Sequence, residues 1–153
     1  MNTWFIGTFE HAIDRQRRVA VPKDWRAAPG EGTTLYVICG PGRRLMAMTP
    51  EYFEREIVVR TQSVSFADAG RMAAISRIAG SARRCVLDKQ GRIMLSEQLM
   101  SYAKLDSQAI LIGGFEIFHI VSPDSHDGDD DMEAAFAAFR EIHESDSLTK
   151  GDA

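Results

Sequence analysis

The sequence predicts an α+β, strand-rich protein built from two copies of one structural unit. The octet Asp-Arg-Gln-Arg-Arg-Val-Ala-Val at positions 14–21 recurs 74 positions later as Asp-Lys-Gln-Gly-Arg-Ile-Met-Leu at 88–95. Apolar residues alternate on both sides of each charged octet, which is the period-two pattern of strands joined in a hairpin. The segments that follow the two octets also correspond, so an internal duplication sets the architecture.

Each unit is predicted to run strand, charged turn, strand, short helix, strand, turn, strand and a helix opened by proline. The apolar runs at 35–38 and 110–112 each end at glycines and are predicted to be strands. Pro50 and Pro123 stand where helices should open, and Pro50 follows a threonine that can cap a helix. The apolar residues near the end of the chain have helical spacing and predict a last helix with one apolar face: Met132, Ala135, Phe136, Phe139 and Ile142.

These units set the expected domain boundaries. Residues 1–62 form the first repeat, 63–81 a connecting helix, and 82–144 the second repeat. The polar end at 145–153 is predicted to be disordered. A chain of 153 residues can bury one sizeable core or two small halves that share one.

The two charged turns are predicted to be opened by Asp14 and Asp88, because aspartate at this position accepts backbone hydrogen bonds. Gly91 can take the positive φ of a bulged hairpin turn. Arg17 occupies the same place in the first copy, where that conformation costs on the order of 1 kcal/mol. The two turns are therefore expected to differ in shape. The paired carboxylates could also be an acid/base pair, but the turn-structuring role is favoured.

The net charge of −4 divides unevenly along the chain. Residues 124–153 hold ten acidic and two basic side chains, whereas 1–123 hold twelve acidic and sixteen basic ones. The basic side chains gather around the turns, namely Arg15, Arg17, Arg18, Lys23 and Arg26 at the first, and Arg83, Arg84, Lys89 and Arg92 at the second. The consistent sign, the repetition and the preference for arginine indicate nucleic-acid binding at the turns, since the guanidinium fork suits phosphate oxygens and guanine edges.

The sequence has no pattern of a catalytic or cofactor site. A nucleophile elbow, a zinc-protease motif and a phosphate loop are all absent from it. The four histidines share no ligand spacing, and Cys39 and Cys85 are predicted to be small buried hydrophobes. We therefore expect no enzyme activity, no cofactor and no small-molecule substrate.

The acidic segment before the last helix partly resembles a calcium-binding loop. Asp127, Asp129 and Asp131 alternate as oxygen ligands do, but Gly128 is misplaced and no glutamate follows at the required distance. A solvated acidic cap is the favoured interpretation, and no metal is expected. No long apolar segment and no secretory signal is visible, so we expect a cytoplasmic protein without a membrane span.

At the residues of the repeats the chain resembles the MraZ family of bacterial transcriptional regulators, within the SpoVT/AbrB-like superfamily. The first half carries Phe-Ile-Gly-Thr-Phe-Glu-His-Ala-Ile-Asp at 5–14, then Arg18 and Val-Ala-Val-Pro at 19–22. The second half carries Leu-Asp-Lys-Gln-Gly-Arg-Ile-Met-Leu at 87–95, followed by Tyr-Ala-Lys-Leu at 102–105, Ile-Leu-Ile-Gly at 110–113 and Phe-Glu-Ile at 115–117. The resemblance covers roughly residues 3–122.

The resemblance implies two tandem AbrB-like half-barrels of the double-split, swapped-hairpin kind, related by a pseudo-dyad and accompanied by short helices and a C-terminal helix. It implies ring-shaped homo-oligomers at the nucleoid. It also implies recognition of short tandem repeats in double-stranded DNA, in front of the division and cell-wall gene cluster. Two residues depart from the family pattern: Arg17 stands in place of a turn glycine and Ser96 in place of a proline.

The DNA-facing arginine of the family motif falls on Arg18 and Arg92. As exposed charges of the turns, these two are expected to contact bases or central phosphates. Arg15, Arg17 and Lys89 are expected to hold flanking phosphates. The alternative is a ring-forming interaction or scaffold protein in which DNA binding is secondary or lost and the acidic end recruits a partner.

Overall fold

The computed structural model describes residues 4–26, 33–126 and 131–151, with side chains described as far as Ile142. The strands of this part are β1 Thr8–Ala12, β2 Arg18–Ala20, β3 Thr34–Gly40, β4 Arg44–Met48, β5 Arg83–Val86, β6 Arg92–Met94, β7 Gln108–Gly114 and β8 Ile117–Val121. The helices are α1 Pro50–Tyr52, which continues through a π-helical segment Phe53–Val58 into α2 Val59–Thr61, then α3 Ala69–Ser81, α4 Glu97–Tyr102 and α5 Met132–Gly151. Short 3₁₀ turns cover Lys23–Trp25 and Pro123–Ser125. The α+β, strand-rich class with short helices and a C-terminal helix is confirmed.

All strand pairs are antiparallel, and they exchange partners between the two repeats. One sheet has the order β1-β7-β8-β4-β3-β5, and a separate two-stranded ribbon joins β2 to β6. In the repeats β1 corresponds to β5, β3 to β7, and β4 to β8. Replacing each strand by its equivalent gives the same order read from the opposite edge of the sheet. Of the strand pairs in the described residues, only β3–β4 and β7–β8 lie within one repeat.

The local hairpin predicted around each charged turn is wrong. The strands before and after the first turn, β1 and β2, do not pair with each other in the described sheets. The backbone contacts across the turn include the isolated bridge between Ile13 and Val19 and the bond from the Asp14 N–H to the Arg18 carbonyl at 3.1 Å. Each strand instead pairs with the other repeat, because pairing β2 with β6 turns four apolar side chains inward together. These four are buried to 1% exposure or less: Val19, Val21, Ile93 and Leu95. Each such burial contributes roughly 1.5–3 kcal/mol.

The ribbon packs on an aromatic cluster that closes the core beneath it. The ring of Phe5 meets Trp25 edge-on at 5.5 Å and Phe118 at 5.0 Å. The indole N–H of Trp25 donates to the Ile6 carbonyl at 3.0 Å, so the buried ring has its polar atom satisfied. Both repeats supply this cluster, and one shared core therefore supports the ribbon.

The helix starts follow capping rules at three places. Thr49 accepts from the Tyr52 N–H at 3.2 Å, which confirms the predicted start at Pro50. The connecting helix α3 begins at Ala69, within the predicted segment 63–81, because Asp68 accepts from the Arg71 N–H at 3.1 Å and caps it there. Ser96 accepts from the Leu99 N–H at 3.1 Å and caps α4, so this departure from the family pattern has a structural role.

The C-terminal helix α5 runs to Gly151, beyond the helix end expected at about residue 145. Its later part contains no proline, and no glycine before Gly151, so nothing in the sequence stops the helix earlier. In place of the helix expected after Pro123 there is a single 3₁₀ turn. Across the described residues, no helix has both the length and the apolar character needed to cross a bilayer.

Candidate nucleic-acid interface

The two charged turns have the same shape, so the expectation that they differ is wrong. The Asp14 carbonyl accepts from the Arg17 N–H at 3.0 Å, and the Asp88 carbonyl accepts from the Gly91 N–H at 2.9 Å. Arg17 has φ 63° and Gly91 has φ 76°, so both residues are in the left-handed region.

Arg17 keeps this conformation because long-range contacts oppose its local cost. Its Nε donates to the Leu95 carbonyl at 3.0 Å, and its carbonyl accepts from the Leu95 N–H at 2.8 Å. Its Nη1 also lies 3.7 Å from a carboxylate oxygen of Glu97. A net hydrogen bond contributes roughly 0.5–1.5 kcal/mol, which is comparable to the cost of the left-handed residue.

The aspartates Asp14 and Asp88 organise each turn through the same set of contacts. The Oδ1 atom of Asp14 accepts from the backbone N–H groups of Gln16 at 2.9 Å and Arg18 at 2.8 Å. The Oδ1 atom of Asp88 accepts from the equivalent N–H groups, two and four residues on, at 2.9 and 3.0 Å. These backbone bonds lower the pKa of both carboxyls, so both carry charge at neutral pH.

The motif arginines Arg18 and Arg92 are held by these carboxylates. The Nε of Arg18 donates to Asp14 Oδ2 at 2.7 Å, and the Nε of Arg92 donates to Asp88 Oδ2 at 3.0 Å. Their side chains are 33% and 28% exposed, so they are half-buried rather than the free turn charges expected from sequence. Among the described residues each guanidinium donates a hydrogen bond only through Nε, which leaves both terminal nitrogens of Arg18 and Nη2 of Arg92 for a ligand.

The two turns also meet each other across the ribbon. Arg92 Nη1 lies 3.6 Å from Asp14 Oδ2, so a carboxylate of the first repeat faces two guanidinium groups. Among the residues the structure describes, the mirror-image contact between Arg18 and Asp88 is not an ion pair. The ion pairs between the two turns are therefore not symmetric, although the turns themselves are equivalent.

The outer face of the ribbon brings the two motif arginines together. Arg18 lies opposite Met94 and Ala20 lies opposite Arg92, with the buried pair Val19 and Ile93 between them. Diagonal residues of such a pair are about 7–8 Å apart, which is about two steps of 3.4 Å along a DNA strand. A two-stranded ribbon also has the size that the major groove admits.

The remaining predicted residues divide into two groups. Arg15 and Lys89 occupy equivalent positions next to the aspartates, are exposed, and could reach phosphates beside the groove. Arg17 is committed to the Leu95 carbonyl and supports the ribbon from below. Met94, 41% exposed on the outer face, was not selected from sequence. The alternation around Ile93 was the signal that could have placed it there.

The sequence is similar to known proteins that share one family name. The family model "MraZ protein, putative antitoxin-like" matches residues 78–128, a span that includes the second turn. A relative named Transcriptional regulator MraZ from Thermomicrobium roseum is 31% identical over 122 residues, covering 79% of this chain and 83% of that protein. The chain belongs to the MraZ family. Relatives of the same name from Desulforamulus reducens, at 30% identity over 71% of this chain and 75% of that protein, and Roseiflexus castenholzii, at 31% over 78% and 81%, support the same assignment.

The MraZ family consists of transcriptional regulators and not of enzymes, as the sequence predicts. Within the described ranges, no three side chains of histidine, cysteine, aspartate or glutamate come together as metal ligands. Asp127 and Asp129, considered for calcium, lie outside those ranges. Cys85 is buried, and burial raises the pKa of its thiol to about 11.

Proposed function

We propose that this MraZ-family chain is a sequence-specific DNA-binding transcriptional regulator that reads DNA with the outer face of its β2–β6 ribbon. The observation that carries the proposal is the pair Arg18 and Arg92, one from each repeat, which are diagonal neighbours on this face. Each is held by an aspartate through Nε, which orients the fork before any ligand binds. A pre-oriented fork loses less entropy on binding than a free one.

The residues of the face have different roles in this proposal. Arg18 and Arg92 contact base edges or central phosphates in the major groove, where arginine pairs with guanine O6 and N7. Arg15 and Lys89 hold flanking phosphates, which fix register without reading sequence. Arg17 makes at most a secondary phosphate contact through its partly exposed terminal group. Asp14, Asp88 and Gly91 set the turns.

We assign the fold to two tandem AbrB-like half-barrels that intertwine about a pseudo-dyad. The symmetric strand order and the pairing of Val19 with Ile93 at the centre of the ribbon support this assignment. In this division residues 1–62 and 82–144 are the repeats and 63–81 is the connecting helix, with 145–153 as an extension.

We further propose that several copies form a closed ring and bind short tandem repeats upstream of the division and cell-wall gene cluster. One ribbon covers few base pairs, so joining several ribbons to several repeats raises the effective concentration of each. A regulator of this kind works in the cytoplasm at the nucleoid. Double-stranded DNA and further copies of the chain are its expected partners.

The alternative is a ring-forming interaction protein with secondary or lost DNA binding. The acidic region at 124–153 would then recruit a partner. The terminal N–H groups of Arg18, which make no hydrogen bond to the described residues, and the basic charge of both turns favour DNA binding over this alternative. Neutral turns would favour the alternative, and these turns are basic.

The test begins by selecting the preferred site from random DNA with the full-length protein. The wild-type protein is then titrated against that site and a scrambled one, beside Arg18→Ala, Arg92→Ala and the control Arg60→Ala. Arg60 is exposed on α2 and paired with Glu56. We expect each motif variant to lose about 5–150-fold in specific affinity, the loss for one bidentate base contact of about 1–3 kcal/mol.

Each motif variant removes the Nε hydrogen bond to an aspartate, so each titration is accompanied by a melting curve at the same protein concentration. Near-wild-type affinity in both motif variants would overturn the DNA-reading face. Equal loss on selected and scrambled DNA would assign the two arginines to phosphates instead of bases.

A further inference from the structure

The helix α5 carries an apolar stripe that is exposed to solvent in the isolated chain. Four large apolar residues lie on one face of it, and each is between 56% and 64% exposed: Met132, Phe136, Phe139 and Ile142. The other described residues of α5 are exposed as well. Contiguous apolar surface of this kind is uncommon on a monomer and marks an interaction site.

The connecting helix α3 is the second exposed element with apolar side chains. Met72 is 36% exposed and Ile78 is 45% exposed, on either side of the half-buried Ile75. Phe66, just before the helix, is 90% exposed. Both apolar faces belong to one chain, and neither covers the other within it. A second molecule must therefore cover them if they are to be buried.

Charge indicates which molecule this is. Between Ala69 and Ser81 the helix α3 carries no acidic residue and two basic ones, Arg77 and Arg71, of which Arg71 lies 3.6 Å from the carboxylate of the N-cap Asp68. The segment that contains α5 is the acidic part of the chain, with ten acidic and two basic side chains in 124–153. An apolar stripe with acidic flanks complements an apolar face with basic flanks.

Another exposed apolar patch, near the edge of the sheet, matches α5 less well than α3 does. Trp4, Ile6 and Phe115 are 48%, 61% and 64% exposed near one edge of the sheet. The residue next to Phe115 is Glu116, whose carboxylate is already paired with Arg55 at 3.1 Å. An acidic helix gains no electrostatic attraction there.

We propose that α5 of one subunit docks, through Met132, Phe136, Phe139 and Ile142, on the Met72 and Ile78 face of α3 in a second copy of this chain. The inference rests on the proposed homo-oligomer and names the surface that joins its subunits. Each chain carries one α5 and one α3, and the contact joins these two different surfaces, so it can repeat head-to-tail from chain to chain. Repetition of a head-to-tail contact produces a ring when the rotation closes.

Two single substitutions test the contact from its two sides. Phe139→Asp places a charge in the stripe of α5, and Ile78→Asp places one on the face of α3. The matched controls are Ala137→Asp, on the opposite side of α5, and Ala73→Asp, on the opposite side of α3. All four positions are solvent-exposed, so the substitutions change no buried side chain of the subunit.

Light scattering coupled to size exclusion measures the mass of each protein at micromolar concentration. We expect the wild-type and both controls to be oligomers and the two interface variants to fall to the 17.0 kDa monomer. Mixing the two interface variants should give a dimer of twice that mass. The mixture has one intact contact, between α5 of Ile78→Asp and α3 of Phe139→Asp, and no way to close a ring.

The outcomes separate this inference from the proposals on which it rests. An oligomer that survives both interface substitutions would overturn the α5–α3 contact and leave the homo-oligomer standing. A mixture that stays monomeric would also overturn it. A monomeric wild-type protein would overturn the homo-oligomer itself, whereas DNA binding by the ribbon is measured in a different experiment.

Discussion

The guanidinium groups of Arg17 and Arg26 bind equivalent carbonyls of the two repeats, although the two arginines are not equivalent positions of the repeat. Arg17 Nε donates to the Leu95 carbonyl at 3.0 Å, and Arg26 Nε donates to the Val21 carbonyl at 2.8 Å. Val21 and Leu95 are themselves repeat equivalents. A Cβ on Gly91 would lie 2.2 Å from Arg26 Cζ, so the guanidinium of Arg26 occupies the place that a side chain at 91 would take. The glycine of one turn and the arginine of the other are thus two solutions to one requirement.

The exchange predicts the behaviour of a double variant. Gly91→Arg alone should destabilise the protein by about 1–2 kcal/mol, because the backbone at 91 is left-handed and a side chain there collides with Arg26. Adding Arg26→Ala removes the collision, and the new arginine can reach the Val21 carbonyl as Arg17 reaches Leu95. The double variant should therefore melt at a higher temperature than Gly91→Arg. Thermal melting at one fixed protein concentration decides this, and a double variant less stable than the single one would contradict it.

At position 17 the order of two variants follows from the same contacts. Arg17→Ala loses the bond to Leu95 and keeps the left-handed φ of 63°, whereas Arg17→Gly loses the bond and relieves the conformation. We expect Arg17→Gly to be more stable than Arg17→Ala by about 1 kcal/mol. Chemical denaturation curves give the difference. Equal stability would mean that the turn changes shape when the arginine is removed.

The lowered pKa of Asp14 and Asp88 predicts a sensitivity to acid. Their charged forms are stabilised by backbone N–H groups and by the motif arginines, so this stability is fully present above the unfolded pKa of about 3.9. It is lost as the pH falls through the lower pKa of the folded state. The double variant Asp14→Asn, Asp88→Asn should be less stable than the wild-type protein at pH 6. The difference should shrink below pH 4, and a constant difference across pH would count against the assignment.

Burial predicts that the two cysteine thiols react differently. Cys85 is buried, and its pKa is raised to about 11, so little thiolate forms at pH 8. Cys39 is half-buried on β3. Alkylation of the native protein followed by mass spectrometry should modify Cys39 first, with Cys39→Ser and Cys85→Ser as the assigning controls. In the unfolded protein the alkylation rates of Cys39 and Cys85 should be similar. Faster modification of Cys85 in the native protein would contradict the burial.

Local pattern predicted the ribbon's faces but not its partner. The alternation around Val19 and Ile93 identifies which side chains turn inward, because period two is a property of each strand alone. That β2 pairs with β6 depends on a contact between residues 74 positions apart, which no local pattern encodes. The predicted shape of the first turn was wrong for the same reason. The contact that holds Arg17 comes from Leu95, 78 residues away.

Salt dependence separates the residues that hold phosphate from those that read bases. Each phosphate contact on duplex DNA contributes about 0.9 to the slope of log affinity against log salt, because binding releases counterions. If two or more subunits each engage Arg15, Lys89 and one further basic residue, the slope corresponds to roughly six or more contacts. Fluorescence anisotropy across a salt series, on the selected site and a scrambled one, measures it.

The variants of this series have different expected signatures. Arg15→Gln and Lys89→Gln should each lower the slope by about 0.9 per engaged subunit and weaken binding equally on both DNAs. Arg92→Gln should weaken binding mainly on the selected site, since the loss of a base contact relaxes specificity. A flat salt dependence in the wild-type protein would mean that the turns do not meet phosphate. The interaction-protein alternative would then be the better account of the basic face, because a ring that binds protein partners needs no counterion release.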